Sequence, residues 1–266
     1  MITGGAFFGI IGGMRTGFFG AGKMAEGILS AIEDRRDVVM AEKVEARAAE
    51  LREKYGVKVV SDVKEVAACC DLVFLAVRPQ DVDAVAAEVK PLLKRGQVLV
   101  SIVAGKTLAK LKAAFGNRAK IIRVMPNLAL RAKAGMCALT AHHPEVEKIL
   151  GGAGETVVLK EKDFDAVTAL SGSGPAYFAY MAEAMAEAGA GLGLKPSVAR
   201  LLAEQTMFGT AKFLRESGMD LRRFIEGVCT KGGTTAAGMK HLARPGFKRT
   251  VGLTLAAAAK RSKELA

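Results

Sequence analysis

A chain of 266 residues, half of them apolar, can bury a large core, which excludes a disordered chain and suggests two folded units. Its net charge of +12 admits an acidic ligand. However, Lys and Arg alternate with acids and no aromatic-studded basic stripe appears, so neither nucleic acid nor a membrane surface is expected as a partner. Only the last segment is one-sided, with Lys240, Arg244, Lys248, Arg249, Lys260, Arg261 and Lys263 against Glu264. The four cysteines, Cys69, Cys70, Cys137 and Cys229, form no C-x-x-C pair and read as reduced, buried thiols of a cytoplasmic protein; no metal site is expected.

Residues 1–13 are apolar and glycine-rich but have no basic start, and they read as an extension outside the fold. Met14 stands just before a first strand. The stretch Thr16-Gly17-Phe18-Phe19 feeds Gly20-Ala21-Gly22-Lys23-Met24-Ala25, and a helical pattern begins at once, with Met24, Ile28, Leu29 and Ile32 on one face. Strand, glycine turn and helix in that order fit a dinucleotide-binding G-x-G-x-x-A. Gly20 would make the tight bend, Gly22 would let N–H groups approach a pyrophosphate, and Ala25 would keep helix and strand close. A glycine turn without a ligand is the other reading of the same spacing.

A second strand over 37–41 ends at Glu42. Dinucleotide folds place an acid on the adenosine ribose about 20 residues into the unit, and a carboxylate there favours NAD. Lys43 and Arg47 point the other way, toward a 2′-phosphate, and Glu42 reads equally as a helix N-terminal residue. Helix 44–55, strand 57–60 and helix 63–68 lead to Asp71–Val77, a continuous apolar run of the kind buried on both faces of a parallel sheet. Pro79 is preset for the first turn of the next helix. Strand 97–103, helix 108–115 and strand 120–124 continue the alternation, and Arg123-Val124-Met125-Pro126-Asn127 breaks it. Strands 135–140 and 155–159, flanking helix 144–150, finish the sheet.

The expected fold class is therefore α/β: an N-terminal Rossmann-like doubly wound sheet over 14–162, with ligands at the strands' carboxyl ends, followed by an all-α domain over 163–266. In that second part, Ser171-Gly172-Ser173-Gly174-Pro175 ends one short helix and starts a long one over 176–191. Pro196 opens another, a turn at 218–220 precedes helix 221–228, and Gly232-Gly233-Thr234-Thr235 leads into further helix. Its apolar positions are too many for one thin layer, so these helices are expected to pack against a second subunit.

Six stretches carry a resemblance: Gly20-Ala21-Gly22-x-Met24-Ala25, Phe74–Gln80, Ser101-Ile102-Val103-Ala104-Gly105, Arg123–Asn127, Ala166–Tyr177 and Gly232-Gly233-Thr234-Thr235. In this order they resemble the pyrroline-5-carboxylate reductases, from residue 16 to the end; Ser171–Tyr177 with the Gly-Gly-Thr-Thr turn is the most specific part. The resemblance implies reduction of the cyclic imine 1-pyrroline-5-carboxylate to L-proline, the last step of proline biosynthesis, with NADPH as cofactor and NADH also possible. It further implies a helical dimerisation domain whose intertwined dimers assemble into rings.

Residue by residue, the resemblance places Phe19, Gly20, Ala21, Gly22, Lys23 and Met24 at the pyrophosphate and Glu42 and Lys43 at the adenosine ribose. Ala76, Val77 and Pro79 match the loop passing the ribose and pyrophosphate, and Val103 and Ala104 match the loop beside the nicotinamide. Thr235 is the catalytic candidate, its hydroxyl positioning the imine nitrogen and relaying a proton. The N–H groups of Gly232, Gly233, Thr234 and Thr235 suit the substrate carboxylate, although the same turn also reads as a loop with an N-cap threonine. Glu161 matches an acid near the substrate in some members, but its charged run Lys160-Glu161-Lys162-Asp163 reads as surface. Ser171 and Ser173 read either as caps of the long helix or as substrate contacts.

Imine reduction needs orientation and polarisation more than a strong base, in keeping with His142, His143 and His241 reading as solvated or structural residues outside every matched motif. Lys23 and Lys231 depart from the family pattern and would add positive charge near phosphate and substrate carboxylate, while Val63 and Gly227 replace family asparagines on the cofactor side. Two alternatives stay open: a reductase of another imine or of a 2-hydroxy acid, with Lys195 or Lys212 as acid-base, and a non-catalytic NAD(P)-binding protein.

Overall fold

Strand β1, Thr16–Phe19, is buried along its whole length, because its side chains alternate between two covered faces. Phe18 points into one core, where it stacks on Phe74 at 5.1 Å between ring centroids; Phe19 points into the other. The computed structural model describes residues 14–265, so the expected extension over 1–13 lies outside the described residues. The strands that follow are β2 (Val38–Ala41), β3 (Lys58–Val60), β4 (Leu72–Leu75), β5 (Val98–Ser101), β6 (Lys120–Pro126), β7 (Gly135–Leu139) and β8 (Gly154–Val158). They form one sheet in the order β3-β2-β1-β4-β5-β6-β7-β8, parallel throughout except for β6 against β7.

Helices α1 (Lys23–Ala31), α2 (Glu45–Tyr55) and α6 (Pro144–Gly151) lend Ile28, Leu51 and Val146 to the core on one face. Helices α3 (Val63–Cys69), α4 (Val82–Val89) and α5 (Leu108–Phe115) lend Val66, Val89 and Leu111 to the other. The sheet is doubly wound, as the alternating pattern required. Its strand order reverses between β1 and β4, which makes their carboxyl ends the place for a ligand. The Arg123–Asn127 stretch corrects the sequence reading: Arg123 to Pro126 continue β6, and only there does the ladder turn antiparallel.

The chain divides into two compact units at Gly172/Ser173, later than the expected boundary at 162/163, and residues 261–265 belong to the first unit. The expected short helix is α7 (Phe164–Val167) running into a wider π-helical turn over Thr168–Gly172. The second unit contains α8 (Gly174–Gly191), α9 (Pro196–Ser217), α10 (Leu221–Val228), α11 (Thr234–Leu242) and most of α12 (Pro245–Leu265). Pro175 and Pro196 stand in the first turns of α8 and α9, where a missing N–H costs nothing. Ala182, Ala199 and Ala203 are its buried apolar residues, whereas Phe178, Tyr180, Leu192 and Leu201 are exposed.

Candidate active site

The glycine turn ends β1 and opens α1. Gly20 takes φ +90°, and a Cβ there would lie 2.9 Å from the Ala76 carbonyl oxygen and from a Val77 methyl, so only glycine lets the β1 and β4 ends meet. Gly22 is the N-cap of α1 and no side chain caps that helix, which leaves its first amides aimed at the cleft. A cavity of about 400 Å³ opens there, lined by Gly20, Ala21, Gly22, Glu42, Lys43, Ala76 and Val77 of the expected cofactor residues. Sequence reasoning missed Ser61, Arg78, Asp81 and Glu88 on the same wall. The position of Arg78 and Asp81 just past the β4 end was the signal that could have found them.

Other expected cofactor residues sit differently. The Phe19 ring is wholly buried and its carbonyl accepts from Ala76 N, so it builds the turn from beneath. Met24 packs against the core. Pro79 starts a 3-10 turn, Pro79–Asp81, that leads into α4, and Lys23 is exposed in the first turn of α1. Val103 is buried and Ala104 exposed in the loop after β5.

Arg47 corrects one argument for a 2′-phosphate. Its guanidinium donates to Glu26 at 2.6 Å, to Glu50 at 2.7 Å and to the Ala21 carbonyl at 3.2 Å, so it braces the glycine turn instead of reaching a ligand. Glu26, almost fully buried, also accepts from Lys54 and Tyr55, and these partners hold its carboxyl down to about 2. Glu42 combines its two readings. It lines the cavity, and its Oε1 accepts from Val44 N at 2.9 Å at the start of α2.

Glu161 is half-buried and paired, more than a solvated member of a charged run. Its Oε1 accepts from Leu108 N at 2.6 Å, at the start of α5, and from Arg123 Nη1 at 3.2 Å. Arg123 is 4% exposed and lies over the Phe164 ring at 4.9 Å. Ser171 accepts from Asn127 Nδ2 at 3.3 Å, and Ser173 occupies the N-cap of α8 without a side-chain cap bond, so neither serine caps the long helix.

In the second unit, Gly232 adopts φ +77° and Gly233, not a threonine, is the N-cap of α11. Thr234 and Thr235 fill the first turn, both exposed, and no side chain caps the helix, so their N–H groups face outward with the Thr235 hydroxyl beside them. Lys231 is exposed just before this turn, and Gly227 is exposed in α10. Lys212 pairs with Glu216 at 3.7 Å, and Lys195 is the N-cap of α9. His142 is exposed beside Glu147, His143 is half-buried and His241 is exposed. Cys70 and Cys137 are buried; Cys69 and Cys229 are half-buried, a correction to four buried thiols.

Residues 15–105 match a family model described as NADP oxidoreductase, coenzyme F420-dependent, and residues 161–265 match one described as pyrroline-5-carboxylate reductase dimerisation. A pyrroline-5-carboxylate reductase of Pisum sativum is 37% identical over 261 residues, 94% of this chain and 95% of that protein. The chain belongs to the pyrroline-5-carboxylate reductase family. Another member, from Synechocystis sp., is 35% identical over 95% of this chain and 98% of its own. Among solved structures, the reductase of Coxiella burnetii superposes with a TM-score of 0.90 at 30% identity, covering 95% of this chain and 98% of that one. The Plasmodium falciparum pyrroline carboxylate reductase, solved with NADP bound, gives 0.81 at 28% identity over 95% and 98%. A dinucleotide cleft at the switch point of the sheet is what a reductase of this family requires of its first unit.

Proposed function

We propose that the chain reduces 1-pyrroline-5-carboxylate to L-proline by hydride transfer from NAD(P)H, closing proline biosynthesis. The observation that carries the reading is the start of α11, where an uncapped helix end presents free N–H groups and the Thr235 hydroxyl together. When bound at the start of α1, the cofactor would supply the hydride for the carbon of the C=N bond. The N–H groups of Thr234 and Thr235 hold the substrate carboxylate, the Gly233 N–H being donated to the Thr230 carbonyl at 3.0 Å, while the Thr235 hydroxyl orients the ring nitrogen and passes it a proton. The uncapped start of α1 takes the cofactor pyrophosphate.

Cofactor preference rests on Glu42 and Lys43. With Arg47 committed to Glu26 and Arg78 paired with Asp81 at 3.3 Å, Lys43 is the cation beside Glu42 that favours the NADPH 2′-phosphate, and the fixed Glu42 carboxylate supports NADH as well by accepting from a ribose 2′-OH. The family match over 161–265 supports a homodimer built through the helical unit, and the family resemblance supports a ring of such dimers. No helix among the described residues is long and apolar enough to cross a membrane, and the unbridged cysteines favour a cytoplasmic setting.

The test is oxidation of NADPH and of NADH by 1-pyrroline-5-carboxylate, followed by absorbance. Thr235→Ala should lower kcat by roughly 10²-fold with little change in cofactor affinity, and Glu42→Gln should raise the NADPH-to-NADH ratio of kcat/KM by about tenfold, or about 1.4 kcal/mol. Cofactor binding without turnover in the wild type would overturn the reading.

A further inference from the structure

At the opposite end of the sheet from the cofactor cleft, before β1, β4 and β5 begin, a second cavity of about 370 Å³ is lined by Met14, Cys69, Cys70 and Asp71 among others. Cys69 is the last residue of α3 and Cys70 its C-cap, with the Cys70 amide donating to the Val66 carbonyl. Their Sγ atoms are 3.6 Å apart. Cys70 is fixed in place: a Cβ on Gly17 of β1 would lie 2.9 Å from its sulfur, so the thiol is wedged between helix and strand. Burial, and then the neighbouring Cys69 sulfur, push the Cys70 thiol up, so it stays protonated at neutral pH. Cys69 is half-buried and offers the way in.

We infer that Cys69 and Cys70 form a two-sulfur site for a trivalent arsenical, entered from this cavity. An arsonous acid, R–As(OH)₂, condenses with the two thiols. Two As–S bonds form and two As–O bonds break, each thiol proton leaves with a hydroxide as water, and arsenic remains trivalent throughout. Two competing chemistries fit less well. A direct disulfide usually spans Cα atoms roughly 4.4–6.8 Å apart, and neighbours across a trans peptide are held at about 3.8 Å, which strains it, whereas a bridging atom fits between sulfurs at 3.6 Å. A closed zinc site needs about four donors, and no group of three or more His, Cys, Asp or Glu among the described residues is placed to hold a metal ion.

The full-length protein is treated with phenylarsine oxide and read by intact mass. One phenylarsenic group per chain should remain in excess monothiol and leave with a dithiol. The adduct should be lost in Cys69→Ala and Cys70→Ala and retained in Cys137→Ala and Cys229→Ala. Because Cys70 is packed against β1, the half-buried Cys69→Ala decides if Cys70→Ala fails to fold. No adduct on the folded wild type, or an adduct that persists in Cys69→Ala or vanishes in Cys229→Ala, would overturn the inference.

Discussion

The two units solve the burial problem in opposite ways. In the sheet unit every large apolar side chain of β1, β2, β4 and β5 is covered from within the chain, and even Arg123 is buried against a partner carboxylate and an aromatic ring. In the helical unit only alanines are buried among the apolar residues, and α8 with its C-cap leaves Phe178, Tyr180 and Leu192 at 66%, 72% and 89% exposure. Exposed apolar side chains of that size are what the proposed homodimer would cover, in keeping with the dimerisation model matched over residues 161–265.

The largest effect expected from testing this contrast lies in the sheet unit. Glu161→Ala leaves buried Arg123 without its carboxylate and Leu108 N without its acceptor, and should cost about 3 kcal/mol. Its unfolding midpoint in denaturant should fall by the same amount at every protein concentration, and Glu161→Gln, which keeps an acceptor for the amide, should recover part of the loss. A cost below about 0.5 kcal/mol would mean that the first unit does not depend on its internal charges. Phe178→Asp should come next, weakening self-association by about 2 kcal/mol, or roughly 30-fold in Kd, by sedimentation at graded dilution. If Phe178 faces water in solution, the same change stays within about 0.5 kcal/mol and the contrast between the units fails.

Much of this was legible in the sequence because it depended on local patterning. The glycine turn, the buried run before Arg78 and the helix after Gly233 each follow from residue types within a few positions, and helices α5 and α10 begin and end where periodicity put them. What escaped depended on pairings across the chain. Arg47 looked like a cation for a phosphate until Glu26, 21 residues earlier, claimed it. Glu161 looked like surface because its neighbours are charged, yet it answers Arg123, 38 residues away. The antiparallel turn of β6 onto β7 and the π-helical turn at Thr168–Gly172 are likewise set by tertiary packing, which no short window reports.

The smallest expected effect concerns acid. Glu26 accepts from Lys54, Arg47 and Tyr55, which hold its carboxyl at about 2 against an ordinary value of 4.5. A depressed folded-state value stabilises the fold above the unfolded one, so its contribution is complete above about pH 4.5 and drains away as pH falls toward 2. Between pH 7 and pH 3 the loss from this residue should be roughly 1–2 kcal/mol. In Glu26→Gln that part of the pH dependence should flatten, while the bracing of Ala21 by Arg47 loosens and cofactor affinity falls with it. Denaturant unfolding at graded pH, with cofactor titration at neutral pH, separates the two effects. If the variant keeps the full acid slope, the loss belongs to other carboxylates, of which Asp34, held at about 2 by Arg36 on the surface, is one. The sheet unit would then owe its acid sensitivity to its exposed rim and not to the pairing that steadies its glycine turn.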